Sequence, residues 1–253
     1  MNFFPSFIKS LLLKSIPRIY SNKQLILPPK YLRYGGNNFF RNNNFALSAR
    51  KEVQKLITNC GITHDSTILD VGCGPGRLAI GILDLMPTIK EYQGVDVDKC
   101  SIDWCKKFIT KFYPKFQFTH INVYNARYNK KGEFSQKNIR LPFENKHFDS
   151  IYLYSVFSHL SIEDIEGYLK EFTRLLKPKG KILLTAFLEE GVPCISENPK
   201  YYLRKRWHGP LHCVLYNKDF FENKLNEFGF KILKFCYGTE TDNQSMLIID
   251  KTK

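Results

Sequence analysis

The sequence predicts an α/β protein built on a doubly wound, mostly parallel sheet, and three observations carry that expectation. The stretch Ile68-Leu69-Asp70-Val71-Gly72-Cys73-Gly74-Pro75-Gly76-Arg77 reads as a buried strand that ends in a carboxylate, breaks into a glycine-rich turn and opens a helix near Leu78. Strand-like and helix-like segments then alternate as far as residue 187. The chain closes on two strand-like segments joined by a polar turn, an antiparallel ending.

Taken in order, residues 3–19 place Phe4, Phe7, Ile8, Leu11, Leu12, Ile16 and Ile19 close to helical period, with Lys9, Lys14 and Arg18 off that stripe. This amphipathic helix either packs on its own domain or lies on a membrane surface or over the substrate. Residues 20–45 read as a loop, with Pro28-Pro29 and Gly35-Gly36. Their aromatics, Tyr31, Tyr34, Phe39, Phe40 and Phe45, serve as a lid or as packing under the loop. Residues 1–45 are thus a helix and aromatic lid segment, and residues 46–253 the main domain.

A helix follows from 45 to 60 and stops at Gly61. Strands are expected at 67–71, 92–95, 116–121, 148–154 and 181–187, with helices near 77–86 and 99–112. Ser161, with Asp164 three residues on, caps a helix. Residues 188–215 read as irregular, 218–228 as a helix ended by Gly229, and 230–236 and 245–250 as the closing pair.

Bulk properties narrow the class. A chain of 253 residues suits one α/β core with additions. Seven cysteines without a Cys-x-x-Cys pair favour a reducing cytoplasm over a disulfide framework or a zinc site, and no metal is expected. No apolar run approaches the roughly 20 residues that span a bilayer, and no signal peptide is read. The net charge of +14 is concentrated early and again at Lys200, Arg204, Lys205 and Arg206. Such surfaces attract nucleic acid, anionic lipid or anionic substrates, or are merely solvated.

The glycine turn discriminates between ligands. A nicotinamide or flavin fingerprint is Gly-x-Gly-x-x-Gly and cradles a pyrophosphate. Here Asp70 precedes a Gly-x-Gly-x-Gly run, and a carboxylate pointed into the pocket repels pyrophosphate while suiting an ammonium or sulfonium. Gly72 can take the tight turn, Gly74 a close ligand approach, and Gly76 the helix packing. Asp96, at the tip of the second strand, is placed to bind ribose hydroxyls.

Two further segments complete a pattern. Leu141-Pro142-Phe143-Glu144-Asn145-Lys146-His147-Phe148-Asp149 is similar to an "LPF…(S/H)FD" lead into strand four, and Glu171-Phe172-Thr173-Arg174-Leu175-Leu176-Lys177-Pro178-Lys179-Gly180 to "E-x-x-R-V-L-K-P-G-G" before strand five. With the glycine turn they cover roughly residues 45–190 in order. The chain resembles the class I S-adenosylmethionine-dependent methyltransferases. That resemblance implies a seven-stranded Rossmann-like sheet closed by a C-terminal antiparallel hairpin, with S-adenosyl-L-methionine as cofactor. It implies cofactor contacts at Asp70, Gly72, Cys73, Gly74, Gly76, Asp96 and Val97, at Asn122 and Val123 around the adenine, and at Tyr154. Asn122 stands where the family usually has Asp; its amide retains the carbonyl acceptor.

Ser155-Val156-Phe157-Ser158-His159-Leu160 resembles an "SVFTHL" sequence of a subset of the family. His159 is therefore expected beside the cofactor, as general base for a hydroxyl acceptor or as a histidine that orders the loop. Residues 122–140 form an insertion relative to the family's shorter members, expected to be structureless. Tyr124, Asn125, Tyr128 and Asn129 in it are candidate substrate contacts, as are Phe157, His208 and His212, the last two in a second variable segment, 188–215. The expected function is methylation of a small molecule, sugar or glycan precursor, at oxygen. Alternatives are an RNA methyltransferase, motivated by charge alone, a lipid methyltransferase peripheral to the membrane through residues 3–19, and a scaffold without activity. Nucleic acid is a possible partner but not a favoured one, and the oligomeric state is open.

Overall fold

A computed structural model of the chain describes residues 18–20, 25–34 and 36–252. The helix expected over residues 3–19 lies outside these except for Arg18 and Ile19, and those two are not helical. Arg18–Tyr20 (β1) is a short strand paired antiparallel with Leu25–Leu27 (β2). Two compact units make up the chain, Met1–His120 and Ile121–Lys253.

In the first unit, Asn42–Lys55 (α1) runs on through a wider turn, Leu56–Cys60, and stops at Gly61, whose φ of 73° few L-residues adopt. Thr67–Val71 (β3), Glu91–Asp96 (β4) and Phe116–His120 (β5) lie side by side in parallel. Every residue of β3 is buried, which is why it reads as a continuous run rather than an alternation. Arg77–Leu85 (α2) follows β3, and Lys99–Cys105 (α3), extended by Lys106–Thr110, follows β4. A Cβ on Gly81 would sit 2.3 Å from the Ala49 carbonyl oxygen, so only glycine lets α2 approach α1 this closely.

Residues 28–34 and 36–45 are not a loose loop. Arg33 is 3% exposed, and a buried guanidinium needs its donors satisfied. It donates to Pro28 O at 2.8 Å, Phe39 O at 3.1 Å and Asn42 Oδ1 at 2.9 Å, and lies over the Phe45 ring. The segment becomes a strap drawn around one cation.

In the second unit, Phe148–Leu153 (β6) and Leu176–Glu189 (β7) are parallel, while Ser245–Lys251 (β11) runs antiparallel to β7 and Phe230–Cys236 (β10) antiparallel to β11. The expected closing hairpin is present. These four strands and the three of the first unit are the seven the resemblance implies, and the fold is α/β and mostly parallel. Ile162–Leu175 (α4) is capped by Ser161, whose Oγ accepts from Asp164 N at 3.2 Å, and Lys218–Glu227 (α5) by Asn217. The "LPF" and "E-x-x-R" segments prove to be two sides of one clamp. Glu171 is 4% exposed and accepts from Leu141 N at 2.8 Å, and Arg174 donates to Leu141 O and Phe143 O while pairing with Glu171.

Two expectations need correction. Residues 188–215 are not wholly irregular: Ile195–Glu197 (β8) pairs antiparallel with Val214–Asn217 (β9), and β9 runs parallel to β7. Both are too short to show a period, and β9 forms because Val214, Leu215 and Tyr216 are buried. The insertion at 122–140 is likewise ordered. Asn125 Oδ1 accepts from the N–H groups of Arg127 and Tyr128, and Asn125 and Asn129 exchange backbone bonds. A short turn, Gln136–Asn138, lies against α4 where a Cβ on Gly167 would meet Gln136 O at 2.3 Å.

Candidate functional site

The glycine turn lies at the carboxyl end of β3. Gly72, Gly74 and Gly76 have φ of 73°, 50° and 78°, a conformation that favours glycine over any L-residue. Their surroundings separate their tasks. A Cβ on Gly76 would lie 2.9 Å from Ile109 Cδ1 and 3.1 Å from Cys105 Sγ, so this glycine closes the helix against its neighbour. A Cβ on Gly74 would meet nothing within 4 Å, which leaves an open face for a ligand.

The carboxylates around the turn are arranged differently from the sequence expectation. Asp70 does not open into the pocket: it is 2% exposed and accepts from the Tyr92 hydroxyl at 2.5 Å. Burial raises its pKa to about 7, against the opposing pull of the Tyr92 bond and the Arg77 charge. Asp96 is half-buried and holds the turn itself. Its Oδ2 accepts from Gly74 N and its Oδ1 from Asp98 N, both at 2.7 Å. Burial pushes its pKa up to about 6. Asp98 caps α3 through Cys100 N and accepts from the Tyr34 hydroxyl at 2.6 Å, which ties the strap to the tip of β4.

Cys73 is 5% exposed and donates weakly to Gly74 O, as does Cys105, and burial pushes both thiols well up. Cys73 therefore offers a ligand its backbone rather than its sulfur. Val97 O accepts from His120 Nε2 at 3.2 Å. The Tyr31 hydroxyl is buried without a partner among the described residues. Sequence reading placed Tyr31 only in a general lid; the orphaned donor is what singles it out. An open glycine face with two carboxylates beside it fits a ligand that carries positive charge and hydroxyl groups.

The second unit holds the three candidate histidines, His159, His208 and His212. His159 follows β6 and its Nδ1 lies 3.1 Å from Leu211 O. A carbonyl only accepts, so the proton is on Nδ1 and the Nε2 lone pair is left as the basic site. Burial first, and then the Arg127 charge, lower its pKa to about 4, so the ring is neutral at pH 7. The Tyr128 ring meets it edge-on at 5.8 Å, and Arg127 lies over Tyr128 and donates to His208 O at 3.4 Å. His212 Nδ1 accepts from His208 N at 2.9 Å, and the His212 ring packs edge-on against Trp207. The two variable segments thus converge on His159. Tyr124 and Tyr128 present 51% and 43% of their surface, and His208 is exposed.

Other expected site residues are engaged elsewhere. Phe157 is not a substrate contact: it is fully buried, stacked on Phe172 and edge-on to Phe221. Asn125 is 4% exposed and Asn129 Nδ2 donates to Val123 O, so both amides shape the insertion rather than a substrate wall. The backbone carbonyl of Asn122 accepts from Glu133 N and Phe134 N, and Val123 is 5% exposed. The Tyr154 hydroxyl is tied to Thr241 through its Oγ1 at 2.8 Å and its N at 3.2 Å. One polar group escaped the sequence altogether. Ser155, at φ 59°, donates its N–H to Thr185 Oγ1, Thr185 donates to Gln244 Oε1, and Gln244 Nε2 returns to Ser155 Oγ. Nothing in the spacing of three residues so far apart announces this ring.

Comparison with known proteins identifies the family and the fold. The family described as "Methyltransferase domain" matches residues 41–234. The sterol 24-C-methyltransferase of Schizosaccharomyces pombe is 28% identical over 144 residues, 57% of this chain and 34% of that protein. That of Kluyveromyces lactis is 26% identical over 202 residues, 78% of this chain and 49% of that protein. The chain spans between a third and a half of these curated relatives. Among solved structures, the [4+2]-cyclase SpnF shares the fold with a TM-score of 0.59 at 13% identity, over 87% of this chain and 84% of that one. The 1,6-didemethyltoxoflavin-N1-methyltransferase of Burkholderia thailandensis, solved with S-adenosylhomocysteine, gives 0.57 at 13% identity over 82% and 80%. Since the family match runs from the start of α1 into β10, the chain belongs to the methyltransferase-domain family.

Proposed function

We propose that this protein is an S-adenosylmethionine-dependent methyltransferase whose acceptor is a small hydroxylated molecule, a sugar or glycan precursor, methylated at oxygen. The observation that carries the cofactor assignment is the left-handed glycine turn with its open face at Gly74, fastened by the Asp96 carboxylate. When bound, S-adenosylmethionine supplies a methyl group on a sulfonium, ready for in-line displacement. The residues of this chain hold and orient. Asp96 and the unsatisfied Tyr31 hydroxyl are the polar groups for the ribose, and the buried Asp70, about half ionised at pH 7, favours a cation over the turn in its charged form.

For the acceptor, His159 Nε2 carries the lone pair that can receive a hydroxyl proton, because Leu211 O holds the proton on the other nitrogen. With a pKa near 4 it is a weak base, so its contribution is to orient the hydroxyl and take the proton late, as the new bond forms. Tyr124, Tyr128 and His208 supply the exposed contacts of the same segments. A second reading takes its support from the sterol 24-C-methyltransferases: a lipid acceptor methylated at carbon.

Calorimetric titration with S-adenosylmethionine and S-adenosylhomocysteine tests the cofactor assignment. Micromolar binding that Asp96→Ala weakens more than tenfold is expected. Unchanged affinity in a folded Asp96→Ala protein would remove Asp96 from the site. Screening sugars and sterols with the wild type then separates the two acceptor readings.

A further inference from the structure

Outside the site described above, the segment between β8 and β9 carries a concentration of exposed cations. Lys200, Arg204 and Arg206 are exposed and have no acidic partner among the described residues. Tyr201 between them is 88% exposed, the highest value of any large hydrophobic side chain described. Lys205 is neutralised by Asp242, and the nearby Glu190 by Lys218 at 2.7 Å. Glu189 accepts from the Tyr202 and Tyr237 hydroxyls at 2.9 and 2.7 Å, and Glu197 accepts from Leu211 N. Those carboxylates are engaged, and the three cations are not.

The platform beneath is fixed. Tyr202 and Trp207 pack edge-on against the buried Phe187. Asn198 exchanges bonds with Cys213 through its N–H at 2.7 Å and its Oδ1 at 3.0 Å, and its Nδ2 donates to Gly209 O. The adjoining elements add exposed apolar groups: Ile195 on β8, which leads into this segment, is 40% exposed, and Tyr237, which shares Glu189 with Tyr202, is 57% exposed.

We propose that the exposed cations Lys200, Arg204 and Arg206, with Tyr201, Tyr237 and Ile195, form a docking surface for an anionic lipid membrane. A bilayer interface favours aromatic rings at headgroup level, and its negative surface potential attracts clustered basic side chains. Nucleic acid would also meet the cations, but single-strand binding sites stack successive bases on successive rings, and Ile195 offers a base nothing. The surface belongs to the segment whose Leu211 carbonyl holds His159, so docking would set the acceptor-facing residues at the lipid boundary. The surface stands on its own, independent of whether the protein transfers methyl groups.

Co-sedimentation of the full chain with vesicles tests this, using phosphatidylcholine alone and phosphatidylcholine mixed with phosphatidylserine. Binding to the mixed vesicles only is expected. A Lys200→Ala/Arg204→Ala/Arg206→Ala protein should lose affinity on the order of a hundredfold, at about fivefold per cation. A Lys90→Ala/Lys111→Ala/Lys115→Ala protein, with the same net charge, should bind as the wild type does. Tyr201→Ala should weaken binding severalfold at unchanged charge. Equal losses in the two triple variants would overturn the proposal in favour of net charge alone. So would wild-type affinity in the first triple variant, or no vesicle binding by a wild type that binds single-stranded RNA through these cations.

Discussion

Asp70 gives the sharpest quantitative test of the structure. Its carboxylate is buried with one strong donor, the Tyr92 hydroxyl, and its pKa is raised from 3.8 to about 7. A carboxyl whose native pKa exceeds its unfolded value costs nothing while it is protonated in both states, and destabilises the fold once the unfolded chain can ionise it. Below pH 3.8 it has no effect on stability through ionisation; between 3.8 and about 7 the unfolded chain sheds its proton first and stability falls as pH rises. The gap between 3.8 and about 7, at about 1.4 kcal/mol per pH unit, sets a cost of up to about 4 kcal/mol from neutral pH upward. Asp70→Asn keeps the shape and an acceptor for Tyr92 and removes the charge. Urea denaturation at pH 4 and pH 8 should show the variant more stable by about 2–4 kcal/mol at pH 8 and by under about 1 kcal/mol at pH 4. A residual slope will remain from Asp96, whose pKa is also raised, to about 6. Equal stability of the two proteins at pH 8, or a difference independent of pH, would refute the buried-charge argument.

His159 predicts the opposite sign. Its native pKa is lowered to about 4, so it contributes stability that is lost as pH falls from about 6.5 toward 4, and the ring stays neutral between pH 5 and 8. Proton NMR of the ring should show it titrating near 4; a midpoint at 6.5 would mean a solvated histidine. Phe157→Ala should cost about 3–5 kcal/mol of stability, read as a fall in melting temperature, with acceptor KM unchanged at temperatures where the variant is folded. A raised KM at full stability would return Phe157 to the acceptor site. Gly76→Ala, forced into φ 78° and against Ile109, should destabilise by about 1–3 kcal/mol, and a neutral result in denaturation would contradict the packing assigned to that glycine.

The parts of this molecule that could be read from sequence are those set by neighbours in the chain. The strand at Ile68, the glycine turn, the Gly61 stop and the Ser161 cap each announce themselves within a few residues. What a side chain meets across the sheet does not. Asp70 looked like a ligand-facing acid because Tyr92, its partner on the adjacent strand, becomes its neighbour only when the two strands align. Asn125 and Asn129 looked like free polar groups because an asparagine that folds its own loop has the same letter as one that binds a substrate. His159 was recognised from its local motif, but the Leu211 carbonyl that fixes its tautomer arrives from the far variable segment.

The buried guanidinium of Arg33 bears on where this protein can be cut. Its acceptors come from Pro28, Phe39 and Asn42, and its ring partner from Phe45, so its burial is stable only after both flanks have converged. A boundary drawn at residue 45 would run through a cooperative knot and strand an aromatic face of α1 in water. Expression fragments intended to isolate the glycine turn should begin upstream of Leu25, and amide exchange along residues 30–34 and 36–45 should follow that of α1 rather than that of a surface loop.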